Sequence, residues 1–265
     1  MIQRTVPQFG NLMFDRDAIV RASMRAYVEA LFGNIPLRRL SFPASAGGVW
    51  TGDFRRGAVC NYDGCGDNEV IAWTETGVVG LAFELGFGPM EQLGLLPSAV
   101  TRGPDDVRGA VPGLPPELEP AFVMASGMLA DGPEYLEKMA SAGLWLYGEQ
   151  VGGSMFDDPT GPGVRQLAAW GLLRGGRLWP LSAFFCGPNE RAIVVEQARK
   201  EAHIHAIIDA VTDRALQGPT QFTAEEIATL IPKPPKPADL AYAQETLAKV
   251  GITWPSSPEI PPEAR

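Results

Sequence analysis

Two histidines, His203 and His205, stand one residue apart and are the only imidazoles in the chain. On a strand they would share a face and could share a metal ion, whereas on a helix they point about 200° apart. The surrounding pattern is helical, so no metal site is expected there. His205 instead shares a stripe with Glu201 and Asp209 at four-residue spacing, a carboxylate–imidazole–carboxylate row from which a general base could be built. The sequence places no nucleophile beside this row. The competing reading is an ordinary solvated helix face.

The densest polar cluster runs from Asn61 to Asn68. As a calcium loop it would offer oxygens from Asn61, Asp63, Asp67 and Glu69, with Gly66 at the sharp turn. However, Cys65 stands at the fifth position, and Ala72 stands where a bidentate glutamate is needed. The flanking patterns also read as strands rather than helices. A hairpin connection held by Asx-type hydrogen bonds is expected instead, exposed enough to face a partner.

Other chemistries find no pattern. Neither Ser45 nor Ser154 lies in a G-x-S-x-G elbow, and neither Gly64–Cys–Gly66 nor Gly161–Pro–Gly163 completes a dinucleotide fingerprint. No cofactor is expected. The six tryptophans are scattered, which suits core anchors better than a stacking platform. With three cysteines and no C-x-x-C pair, buried thiols in a reducing cytoplasm are expected. The opening Met1–Ile–Gln–Arg–Thr–Val–Pro7 leads into no apolar stretch of the secretory kind, and no apolar run nears the roughly 18 residues that span a bilayer. Net charge of −9 argues against nucleic acid and favours a basic partner.

The elements that must position these groups are short, because 30 glycines and 24 prolines punctuate the chain. A helix is expected over 11–32, capped by Asp15 or Asp17 and stopped at Gly33. Three strands of a meander follow at 56–61, 69–74 and 78–85, after a loop over 36–52. Irregular chain over 86–116, with a short helix at 89–95, leads to helices over 116–124 and 133–142 and a strand at 144–147. The Gly- and Pro-rich segment 152–163 is a candidate boundary between an α+β region, 1–151, and a mainly helical region, 164–265, the two forming one unit. Helices are expected at 164–173, 188–216 and 239–250. Thr223–Ala–Glu–Glu226 reads as a capping box opening a helix to Ile231, followed by an extended proline-rich link.

The fold class is therefore α+β, an antiparallel meander packed with helices and followed by a helical C-terminal region. The segments Asp63–Gly–Cys–Gly–Asp–Asn68, Val70–Ile–Ala–Trp73, Gly77–Val–Val–Gly–Leu–Ala–Phe–Glu84, Glu119–Pro–Ala–Phe122, Leu144–Trp–Leu146 and Thr223–Ala–Glu–Glu–Ile227 together resemble a family of uncharacterised bacterial proteins that includes candidate immunity proteins. The likeness covers most of the chain. In that family the third strand continues Gly-Phe-Asp-His-Glu-Ser, whereas this chain reads Gly80–Leu–Ala–Phe–Glu–Leu85. The missing histidine removes any catalytic or metal role the resemblance would carry, and leaves its fold and a binding role.

The resulting expectation is a cytoplasmic protein that binds another protein, an immunity protein capping a basic toxin domain. The residues expected to face that partner are Asn61, Asp63, Asp67, Asn68, Asp157 and Asp158. The alternatives are a hydrolase-type enzyme assembled around Glu201, His205 and Asp209, and a scaffold subunit docking through its first helix and its proline-linked tail.

Overall fold

An amphipathic run with an acidic cap opens the first described element. In a computed structural model that describes residues 15–34, 49–62, 68–83, 107–130, 140, 142–154, 202–231 and 237–255, Arg16–Asn34 form helix α1. Asp15 is its cap. The carboxylate accepts the Ala18 amide at 2.7 Å and the carbonyl accepts that of Ile19 at 3.1 Å, satisfying two of the first-turn donors. Ile19, Val20, Met24, Tyr27, Val28, Leu31 and Phe32 recur at three- and four-residue spacing and are all buried.

Alternation then takes over. Strands β1 (Val49–Gly52), β2 (Gly57–Tyr62), β3 (Asn68–Trp73), β4 (Gly77–Phe83), β5 (Ala142–Tyr147) and β6 (Gln150–Gly152) form one antiparallel sheet in sequence order. The expected meander is present, extended by β1 and β6. In β3, Ile71 and Trp73 face one core while Val70 and Ala72 face another. Both faces of the sheet are therefore covered, which is why this strand reads as a nearly unbroken apolar run.

On one face lies helix α2 (Glu119–Ala130), entered through a single 3-10 turn at Pro116–Leu118 and packing Ala121, Phe122, Ala125 and Leu129 on the sheet. The other face carries α1 together with α3 (Ala202–Gln217), α4 (Ala224–Leu230) and α5 (Pro237–Ala248). That core joins Trp50, Trp73 and Leu146 from the sheet with Ile208, Val211, Phe222 and Leu247, so residues far apart in the chain share it. A two-stranded parallel pair, β7 (Thr220–Gln221) with β8 (Ile252–Thr253), ties the C-terminal helices together.

The capping box is present in full. Thr223 Oγ1 accepts the Glu226 amide at 3.1 Å, and Glu226 Oε2 accepts the Thr223 amide at 2.8 Å. The end of one expected helix, 133–142, is corrected: Ala142 begins β5 as the Cα partner of Ala82, and sheet pairing there overrides helical propensity. The rest of that run to 139, the short helix at 89–95 and the helix at 164–173 lie outside the described residues, as do 155–163 and the first part of the expected 188–216 helix.

Candidate functional site

The meander fixes which connections share an end of the sheet. Tyr62 and Asn68 are Cα partners, so the connection 63–67 closes β2 onto β3 at one end. Asn68 also faces Phe83, Ala82 faces Ala142, and Trp145 faces Gly152. The ends of β4 and β6 and the start of β5 therefore lie at that same end. From β3 to β6 is three strand spacings, about 15 Å.

The exit after β6 is pinned. The Ser154 amide donates to the Ala110 carbonyl at 2.9 Å, and its hydroxyl oxygen accepts the Gly143 amide at 3.0 Å. Gly153 makes this approach with φ of 110°, and a Cβ there would stand 2.2 Å from the Gly143 carbonyl oxygen. Asn61 and Asn68 thus stand on the paired ends of β2 and β3. Asp63, Asp67, Asp157 and Asp158 lie outside the described residues, but the positions from which their segments leave, Tyr62, Asn68 and Ser154, belong to one end of the sheet.

The histidine row is arranged differently. Glu201 lies outside the described residues, and His203 is exposed. His205 and Asp209 do not form a solvated face, because α3 packs that side against α1. Arg25, with 1% of its side chain exposed, reaches across from α1. Its Nε donates to Asp209 Oδ1 at 2.8 Å, one guanidinium nitrogen bonds Glu29, and the other lies 3.1 Å from His205 Nδ1. Glu29 Oε1 is 3.3 Å from the same Nδ1. One turn away Arg21 makes a two-pronged pair with Asp213 at 2.6 and 3.0 Å. The Asp213 hydrogen bond is the main cause holding Arg21 above its usual value.

This seam joins two helices and orients an imidazole. The sequence did carry a signal for it: Arg21, Arg25 and Glu29 repeat at four-residue spacing on α1, as His205, Asp209 and Asp213 do on α3. Among the described residues no group of three or more His, Cys, Asp or Glu side chains is arranged to hold a metal ion.

At the opposite end of the sheet an open cleft of about 690 Å³ is lined by Asp15, Arg16, Asp17, Phe54, Arg55 and Glu75. Both its arginines are engaged: Arg16 donates to the carbonyls of Thr74 at 2.5 Å, Arg55 at 3.1 Å and Phe54, and the Arg55 side chain pairs with Glu75 at 2.6 Å. In the adjoining turn Asp53 accepts the Arg56 and Arg55 amides, which hold its carboxyl below the usual range.

Set beside known proteins, the chain matches no family profile, no curated protein and no solved structure. Among the described residues no helix is long and apolar enough to cross a membrane.

Proposed function

We propose that this chain is a protein-binding protein that recognises a basic partner, and that it acts as an immunity protein neutralising a toxin domain by direct contact. The observation that carries the reading is the coincidence of a net charge of −9 with two acidic segments whose flanking residues, Tyr62, Asn68 and Ser154, stand at the same end of the sheet. Asn61, Asp63, Asp67 and Asn68 belong to one segment, and Asp157 and Asp158 to the other. A rigid sheet carrying acidic connections suits a partner whose own site is basic, because complementary charge speeds encounter and fixes orientation. The site of action is the cytoplasm, where the partner would be made or delivered.

The scaffold alternative loses one of its two docking elements, since α1 is packed along its length from Ile19 to Phe32. The hydrolase alternative would need His205 and Asp209 to act while each is held against Arg25. Co-expression with the product of the adjacent gene tests the binding reading. A stable complex together with restored growth is expected, and the loss of both would end the proposal.

A further inference from the structure

Among the described residues, His205 meets Arg25 and Glu29 of α1, and the seam continues along the two helices through Asp209, Arg21 and Asp213. Nδ1 stands 3.1 Å from an Arg25 nitrogen and 3.3 Å from a Glu29 oxygen. One ring nitrogen cannot satisfy both at once. In a neutral ring protonated on Nε2, the single Nδ1 lone pair accepts from Arg25, and Nδ1 has no hydrogen to offer Glu29. Protonated, the single Nδ1–H donates to Glu29, and Nδ1 can no longer accept from the guanidinium. The charge of the seam changes with it: among the described residues Arg21 and Arg25 stand with Glu29, Asp209 and Asp213, two positive against three negative, and a proton on His205 adds one positive charge. With Arg25 buried and His205 exposed over only 15% of its side chain, solvent and salt screen this exchange weakly.

We infer that His205 is a proton-dependent latch between α1 and α3, hydrogen-bonded to Arg25 when neutral and to Glu29 when charged. The inference is independent of the binding reading. Imidazole is the side chain whose unperturbed charge change falls nearest neutral pH, which makes it the group of this seam suited to such an exchange. It swaps partners within a packed seam and leaves Arg25 bonded to Asp209 in both states.

The chain's two histidines make the test direct. Ring-nitrogen NMR of the full chain across pH 5 to 8 reads His205 against the exposed His203 as an internal reference. Neutral His205 is expected as the Nε2–H tautomer, and Glu29→Gln should lower its titration midpoint by about one pH unit while leaving His203 unmoved. Glu201, one turn earlier in the sequence, is changed separately to Gln, and the effect of Glu29→Gln should persist in that background. An Nδ1–H tautomer in the neutral ring, or a midpoint indifferent to Glu29→Gln, would overturn the latch. Because the tautomer is read on the unaltered chain, it decides even if a variant folds poorly.

Discussion

Arg25 shows how a single side chain can hold two helices in register. Its guanidinium is removed from water, and each donor group finds a partner on α1 or α3. Arg25→Leu would keep the apolar packing of the stem but take the guanidinium from Glu29 and leave Asp209 with Arg21 at 3.6 Å. Breaking a buried pair by removing one partner costs about 3 kcal/mol, so the urea midpoint should fall accordingly. A second residue-level prediction concerns Glu226. Burial alone would raise its carboxyl, but the Arg214 hydrogen bonds at 3.0 and 2.9 Å and the Thr223 amide outweigh burial and hold it below the usual value. The sign follows from that: the folded value lies below the unfolded one near pH 4.3, so the contribution is complete above that pH and fades as pH falls through the folded value. Glu226→Gln should flatten the acid limb of a melting-temperature profile between pH 3 and 6. Thr223→Ala should cost about 1 kcal/mol at neutral pH. The capping box was legible because its two members lie three residues apart. The Arg25 seam was not, because its partners are separated by most of the chain and only folding brings the two stripes together.

At the scale of elements, legibility followed length and punctuation. Strands β2 to β4 were marked by the glycine-rich connection after Tyr62 and by Thr74–Glu–Thr–Gly77, whose type of residue tolerates tight turns. Strands β1 and β6 were missed because they have four and three residues and sit in glycine-rich surroundings that read as loop. In β6 the glycine is itself the reason for pairing: a Cβ on Gly152 would come within 2.3 Å of the Trp145 ring on β5, so only glycine lets that indole lie across the edge strand. The next residue gives a sharper test. Gly153 combines a φ of 110° with a backbone oxygen where a Cβ would stand, so Gly153→Ala should destabilise the fold by about 3 kcal/mol, read by thermal or urea unfolding. Amide exchange should rise at Gly143 and Ser154 in that variant, since their mutual anchor depends on the turn. An unchanged stability would mean that the turn is not needed to hold the exit after β6.

For the molecule as a whole, the sheet is covered on both faces, and aromatic contacts tie its layers together. Tyr27 of α1 meets Trp50 at 5.6 Å between ring centroids, and Trp50 meets Trp73 at 5.0 Å. Burial is the main cause that pushes the Tyr27 phenol up to about 12. Among the described residues helices cover both faces of the sheet, and the residues next to the two acidic segments, Tyr62, Asn68 and Ser154, stand at one end of it. Composition made the acidity legible; it took the strand order to show that Tyr62, Asn68 and Ser154, which flank acidic segments nearly a hundred residues apart, stand at the same end of the sheet. The central claim is that these segments recognise a basic partner, and the most direct measurement is growth of cells making the adjacent gene's product, with either the native chain or a variant carrying Asp63→Asn, Asp67→Asn, Asp157→Asn and Asp158→Asn. The native chain should restore growth, and the variant should protect less, with association to the purified partner slowed about tenfold at low salt and the difference shrinking as salt rises. Equal protection and equal association rates by the two chains, or no protection by either, would contradict it.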